Sequence, residues 1–273
     1  MRDINSGPEF IKSNVKLSIG IIVSNHLKYV KKGMESIKPL LESIPSELIV
    51  VDTVGSEKSD GSLDVAKKYT DKIYHFDWVD DFSAARNVAM EHAKGEWFMF
   101  FDDDEYFDDV NELISFFSSG DCEKYNAGRY YSGNYYDENH YLKSAVSRLV
   151  RRTRQTKFEG IIHEHFNECY YPIKQFKTFT HHFGYLYQTE EQRRLKSRRN
   201  IVLLEKQLKT EGINSRTCAH LIQEYIVDDN DEAARMSMVF VSELEKRDSL
   251  IMPWDNGFSL LILEIWQDGH ILI

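Results

Sequence analysis

Through its first third the chain alternates short continuous apolar runs with longer segments whose apolar positions recur every three or four residues. Leu17–Val23 (LSIGIIV) is short and rich in branched residues, the pattern of a strand buried on both faces. After the polar stretch Ser24, Asn25 and His26, the spacing of Val30, Met34, Ile37 and Leu41 predicts a helix with one apolar face. Residues 47–51 (ELIVV) predict a second buried strand, with Asp52 at its C-terminal end. Turn-forming residues 55–62 lead into a short helix over 63–69, a third strand over 72–76 and a helix over 82–93. Residues 97–101 (WFMFF) predict a fourth buried strand that runs straight into Asp102, Asp103, Asp104 and Glu105.

Strands alternating with helices predict an α/β fold, a mostly parallel sheet with helices on both faces. Such sheets bind ligands beyond the carboxyl ends of their strands. Asp52 and the acidic run at Asp102 both lie at such ends, so two separate acidic features converge on one edge. Over residues 126–187 aromatic, β-branched and turn residues dominate, which predicts antiparallel strands or long loops. From Thr189 the pattern is helical again. One apolar stripe holds Leu195, Ile201, Leu204 and Leu208. A second holds Cys218, Leu221, Ile222, Tyr225 and Ile226, and a third Ala234, Met238, Val241 and Leu244. With DDND (228–231) at a turn, these resemble helix–turn–helix units of the tetratricopeptide kind. The expected organisation is a tail or tag over 1–15, an α/β domain over 16–187 and a helical, repeat-like domain over 188–273. The apolar last segment (SLLILEIW, HILI) suggests a longer native chain or a covered face, such as a homodimer through the helical tail.

Composition narrows the functional classes. Hydrophobic residues are 42% and charged residues 29% of the 273, a globular balance. A formal net charge of −10, from 34 basic and 44 acidic residues, speaks against nonspecific nucleic-acid binding, which neutralises phosphates with cations. An anionic substrate would need local help from a metal ion or a few placed cations. Cys122, Cys169 and Cys218 form no CxxC pair and match no zinc framework, which fits a reducing, cytoplasmic setting. No apolar run reaches the length of a membrane span, and the start, MRDINSGPEF, lacks a signal peptide's apolar stretch.

The acidic run is the strongest chemical signal. Carboxylates at alternate positions can share a divalent cation with a phosphorylated ligand, because Mg²⁺ and Mn²⁺ prefer oxygen ligands and keep substrate phosphates in their shell. The plainer reading is a solvated turn that caps the next helix. The buried WFMFF strand places the acids at the ligand edge and favours function. Three pieces of sequence then resemble family 2 glycosyltransferases of the GT-A fold, in the bacterial branch with tetratricopeptide-like repeats behind the catalytic domain. They are LSIGIIVSN from Leu17, DDFSAARNVAMEHAKGEWFMFFDDDE from Asp80, and IIHEHF from Ile161 followed by HHFGY from His181.

This resemblance implies a metal-dependent transferase that moves a sugar from a nucleotide-diphospho-sugar, a UDP-sugar in the first instance, to an unidentified acceptor (glycan, lipid, peptide or protein) with inversion. It implies that Ser24 and Asn25 lie under the nucleotide, that Asp52 holds the uracil or ribose, and that Arg86 and Asn87 stand beside the nucleotide pocket. Asp102 and Asp104 match the DXD motif, the first nearer the ribose and the second on the Mn²⁺ or Mg²⁺. Asp103 between them joins the nucleotide-sugar set, and His182 matches a histidine near the diphosphate and metal. An inverting enzyme also needs a general base to deprotonate the acceptor. Glu164 in HEHF is the candidate, with Glu159 and Asp103 as rivals.

The chain departs from the family pattern in two places. The second-strand motif is lengthened to DTVGSEKSDGS (52–62), and the first continues Asn25-His26 rather than Asn-Glu. The HEHF stretch is not the HExxH of zinc enzymes, and on a helix its two histidines would point to different faces. His140, His220 and His270 read as ordinary histidines. The basic clusters Arg148, Arg151, Arg152, Arg154, Lys157 and Arg193, Arg194, Lys196, Arg198, Arg199 read first as solvated faces, with one or two of the former meeting a diphosphate as the functional alternative. Two other classes stay open at this point. A sugar nucleotidyltransferase would normally show a Gly-rich basic loop where Ser24-Asn25-His26 stands. A non-catalytic repeat scaffold would not need an intact Asp52 and DXD.

Overall fold

The computed structural model describes residues 7–55, 58–228, 231–233 and 235–239. Strands β1 (Leu17–Val23), β2 (Ser46–Asp52), β3 (Ile73–His75) and β4 (Trp97–Asp102) are all parallel, in the order β3-β2-β1-β4. They are linked by α1 (Leu27–Ser43), α2 (Ser62–Ala66) and α3 (Phe82–His92). The continuous apolar runs exist because both faces of these strands are covered. Ile19, Ile21, Val50, Met99 and Phe101 point into one core with Val30, Met34, Ile37 and Leu40 of α1. The alternate positions Ile49, Val51, Phe98 and Phe100 pack on Ala89 and Met90 of α3. Leu40, rather than the predicted Leu41, completes the buried face of α1, and Leu41 packs at its margin. Gly20 faces α3, where a Cβ would lie 2.5 Å from the Phe98 ring and 3.1 Å from Ala89 Cβ. The missing side chain lets helix and sheet approach.

The second half of the sheet is mixed. β5 (Glu105–Phe107), α4 (Asn111–Ser118) and a 3₁₀ turn (Asp121–Lys124) lead to β6 (Ala127–Tyr135) and β7 (Tyr141–Arg151), an antiparallel hairpin whose β7 also pairs antiparallel to β4. A small separate hairpin follows, β8 (Phe158–Glu159) with β9 (His165–Phe166). β10 (Ile173–His182) then runs parallel to β6 and antiparallel to β5, completing the order β3-β2-β1-β4-β7-β6-β10-β5. The aromatic region therefore holds two antiparallel hairpins, as its pattern predicts, and one parallel pairing that its pattern does not reveal. The register pairs His182 with Glu105, which carries a distant histidine to the end of the acidic run.

The chain divides into two compact units, Met1–Leu186 and Tyr187–Ile273. In the second, α5 (Glu190–Glu211) starts at Thr189, whose hydroxyl accepts the Gln192 N–H at 3.2 Å, and ends at Gly212 with φ 81°. It lies antiparallel to α6 (Ser215–Asp228), since Ser197 and Asn200 bond Glu224 while Gln207 bonds Thr217. Ile201, Leu203 and Leu204 are buried, as are Cys218, Leu221, Ile222 and Tyr225. Leu195, placed on the apolar stripe by its spacing, is 56% exposed, because polar Ser197, Asn200 and Gln207 take part of the buried face through hydrogen bonds. Ile226 and Met238 are also exposed. Ala234, Val241, Leu244, His270 and the apolar last segment lie outside the described residues. No helix among the described residues is long and apolar enough to cross a membrane.

Candidate functional site

The site is built at the C-terminal ends of β1, β2 and β4, where the strand order reverses on either side of β1. On the β2 side, buried Asp52 accepts the Val54 and Gly55 N–H groups on Oδ1 at 3.0 and 2.9 Å. Its Oδ2 lies 3.3 Å from His75 Nδ1 at the end of β3, and His75 Nε2 lies 3.2 Å from Asp77. These carboxylates, Asp77 and then Asp52, raise the imidazole's pKa above its ordinary value. On the β1 side, the Ser24 N–H and hydroxyl both donate to Asp103 Oδ2, at 2.6 and 3.1 Å, and His26 Nδ1 stands 2.7 Å from Oδ1. Asp103 thus ties the loop after β1 to the acidic run. Asn25 turns the other way and exchanges hydrogen bonds with the Asp60 N–H and the Lys58 carbonyl, at 3.0 and 3.3 Å. Asp60 in turn accepts the Leu27 N–H at 2.9 Å, capping α1 where His26 supplies no side-chain cap. Lys58 and Asp60 of the lengthened segment therefore brace the loop after β1.

The acidic run splits into two environments. Asp102 faces two guanidinium groups. Arg86 Nη2 donates to its Oδ1 at 2.5 Å, and Arg148 donates to its Oδ2 through both terminal nitrogens at 3.0 Å. Arg148 also reaches Glu105 at 3.0 Å. Burial alone would push the Asp102 carboxyl up, but Arg86 and Arg148 outweigh it and hold the group well below the usual carboxylate range. Glu105 is fully buried and shifted upward by that burial, against Arg148. The cluster also uses both guanidinium groups against the Phe100 ring, each 4.3 Å from its centroid.

Asp104 has no such cations. Its Oδ1 is buried without a hydrogen-bond partner, 3.5 Å from His182 Nε2. Burial first, then neighbouring Asp102 and Asp103, raise its pKa against the pull of His182. Asn134 Nδ2 donates to Ser144, which turns Asn134 Oδ1 to His182 Nδ1 at 2.6 Å. That contact puts a proton on Nδ1, so in the neutral ring Nε2 turns its lone pair to Asp104, the tautomer of a metal-ligating histidine. A lone pair facing a carboxylate oxygen is repulsive unless a cation or proton lies between them, so the pair fits a divalent ion. Gly184 keeps this space open, since a Cβ there would lie 2.6 Å from His182 Nε2 and 2.7 Å from Asp104 Oδ2. Ligand atoms of Asp102, Glu105 and His182 also come within 4.8 Å of one another. Asp102 and Glu105 are already neutralised by Arg86 and Arg148, so the less compensated charge belongs to Asp104.

Glu164 lies in the loop between β8 and β9, and its carboxylate pairs with Arg86 Nε. One guanidinium therefore joins Asp102 to Glu164. Arg86 Nη1 is buried with no hydrogen-bond partner. Asn87 gives its amide to the hairpin backbone: Nδ2 donates to the Phe158 carbonyl at 3.0 Å, and Oδ1 accepts the Phe158 N–H at 2.8 Å. Glu159 pairs with Lys157. Of the first basic cluster, only Arg148 meets the acidic run. Arg152 binds the carbonyls of Ala93 and Gly95, and Arg151 pairs with Glu123. Sequence reasoning missed His26, His75, Glu105, Asn134 and Gly184 as site residues, and offered Arg148 only as one of a basic cluster. His26 adjoins a quoted motif, and Glu105 and Gly184 lie inside quoted motifs. Asn134 and Arg148 arrive only by strand pairing.

A parallel half-sheet in the order 3-2-1-4, with an acidic run ending β4 and an aspartate ending β2, is an arrangement of the GT-A class of sugar transferases. The model of "Glycosyl transferase family 2" matches residues 18–171, more than half of the chain, and the chain belongs to that family. It is 31% identical over 239 residues to the SPbeta prophage-derived glycosyltransferase SunS of Bacillus subtilis (strain 168), covering 80% of this chain and 51% of that protein. The chain thus spans about half the length of this curated relative. A TPR repeat-containing protein of Synechococcus elongatus is 34% identical over 90 residues, 33% of this chain and 21% of its own. Among solved structures, residues 1–349 of S. aureus TarS in complex with UDP-GlcNAc align at TM-score 0.47 and 13% identity, covering 91% of this chain and 80% of that one.

Proposed function

We propose that this chain is an inverting, divalent-metal-dependent glycosyltransferase that takes its sugar from a UDP-sugar. The observation that carries the reading is the buried Asp104 oxygen left without a hydrogen bond beside the His182 lone pair, at the strand edge where Asp52 and Asp103 also stand. Asp52 would accept a nucleoside N–H or hydroxyl, and the Ser24–Asp103 contact would shape the floor beneath it. Asp104 and His182 would hold Mn²⁺ or Mg²⁺, which when bound neutralises charge on the departing diphosphate. Glu164 would take the proton from the acceptor as the acceptor nucleophile attacks the anomeric carbon and the nucleoside diphosphate departs, and Arg86 keeps that carboxylate oriented until then. Arg86 and Arg148 hold Asp102 as a fixed anion. The unit at Tyr187–Ile273 would serve as an acceptor-binding or dimerising module of tetratricopeptide-like helices.

The test is a thermal-shift screen of UDP-, GDP- and CDP-sugars with and without Mn²⁺, followed by release of free nucleotide from whichever sugar stabilises the protein. A rise in melting temperature that needs both UDP-sugar and Mn²⁺, with slow hydrolysis, supports the reading. Metal-independent stabilisation would overturn the metal assignment. Pyrophosphate-dependent synthesis of the sugar nucleotide would favour a nucleotidyltransferase instead.

A further inference from the structure

The hairpin β8–β9 is short, pairs with no strand of the main sheet and carries the candidate base in its connecting loop. Two backbone positions in that connection, Gly160 at φ 94° and His163 at φ 53°, lie in the left-handed region. A non-glycine residue held there needs surrounding contacts to keep it. α3 ties the residues on either side of His163. At the first residue of the helix, the Phe82 N–H donates to the Ile161 carbonyl at 2.8 Å. One turn on, Arg86 pairs with Glu164. Beside it, Asn87 closes a ring with Phe158 through both of its amide atoms. The rings of Phe158 and Phe166 pack on Phe98 and Phe100 of β4 beneath. Three residues of one helix, Phe82, Arg86 and Asn87, thus tie down a hairpin that has two strand pairs and pairs with no strand of the main sheet.

We propose that Asn87 is a positioning residue for Glu164: it holds the β8–β9 hairpin against α3 so that the carboxylate stays on Arg86, and it makes no contact with the donor nucleotide. The inference rests on Glu164 being the base, and it assigns Asn87 a different task from the nucleotide contact implied by the family resemblance. Its amide is matched donor for acceptor by the carbonyl and N–H of a single hairpin residue, Phe158, the geometry of a clamp. A displacement of about 1 Å at a reacting group can cost about a hundredfold in rate, so a clamp on this loop would act on turnover rather than on donor affinity.

The experiment uses the full chain, with UDP-glucose and UDP-N-acetylglucosamine as probes, water as acceptor, and release of UDP as the readout. Asn87→Ala should lower kcat at least about tenfold, the scale of a partial loss of orientation. The KM for donor and the affinity for UDP with Mn²⁺ should stay near wild type. Amide hydrogen exchange over residues 158–166 should quicken while that over β1 and β2 stays unchanged. Asn87→Asp keeps the acceptor for the Phe158 N–H and loses the donor to its carbonyl. It should fall between wild type and Asn87→Ala, and it serves if the alanine variant does not fold. Weakened UDP affinity with kcat preserved would overturn the proposal and return Asn87 to the nucleotide pocket. Unchanged exchange over the hairpin would also overturn it. Glu164→Gln, run in parallel, separates the two readings. Wild-type turnover in that variant removes Glu164 as base, whereas the exchange result still reports whether Asn87 holds the hairpin.

Discussion

At the scale of single residues, the site depends on carboxylates that look alike in sequence and differ in surroundings. Asp102, Asp103 and Asp104 are consecutive, yet one faces two guanidinium groups, one faces Ser24 and His26, and one has a buried oxygen facing an imidazole nitrogen. Asp104→Ala should therefore abolish metal-dependent nucleotide binding while leaving the fold intact, because no hydrogen bond of that side chain holds the sheet together. Calorimetry with UDP and Mn²⁺ checks this, and wild-type affinity in the variant would move the metal to Asp102 and Glu105. Asp52→Ala should weaken free uridine and UDP alike by about 1–3 kcal/mol, the usual cost of losing a charged acceptor. A loss confined to intact sugar nucleotides would place Asp52 at the sugar instead.

At the scale of elements, the edge of the sheet opposite the site has its own polar anchor. Glu47 at the start of β2 accepts the Ser18 hydroxyl and the Lys94 N–H, both at 2.6 Å, and pairs with Lys72 ahead of β3. It thereby ties together the starts of β1, β2 and β3 and the turn before β4. Burial would raise its pKa, but Lys72, Ser18 and the Lys94 N–H outweigh burial and lower it. Since the folded value lies below the unfolded one, this group's stabilisation is present above the unfolded pKa of about 4.3. It is lost as pH falls through the folded value. Glu47→Gln should cost about 1–3 kcal/mol at neutral pH, as expected for breaking a buried charged network. The gap between the two proteins in chemical denaturation should narrow as pH is lowered toward about 3, below the ordinary glutamate value of about 4.3. A gap that stays constant down to that pH would show that the network stabilises through packing and not through the charge.

At the scale of the whole molecule, every residue placed in the site precedes Tyr187, and Met1–Leu186 forms a compact unit. A chain ending at Leu186 should therefore fold and keep its affinity for UDP with Mn²⁺. Transfer to the acceptor, or the oligomeric state, should change. Circular dichroism and a UDP titration decide the first point, and an unfolded fragment would show that α5 belongs to the folding core of the first unit. Light scattering and acceptor transfer decide the second.

The sequence by itself determined the parallel half of the sheet and the place of the acids on it. Apolar runs at β1, β2 and β4 can be buried only between two helical layers, and a run that ends in Asp52 or Asp102 must put that acid at the strand end. These are local consequences of period and burial, and they were legible without any partner being known. Tertiary structure alone decided what each acid does. Arg148 comes to Asp102 because β7 pairs antiparallel to β4, and His182 comes to Asp104 because β10 pairs in register with β5. Asn87 meets Phe158 across a sequence separation of 71, and Arg86 meets Glu164 across 78. Hydrogen bonds and ion pairs over such distances carry no periodicity in the chain. They are set by strand register and by the packing of a small hairpin on a helix, which is where the chemistry of the site is assembled.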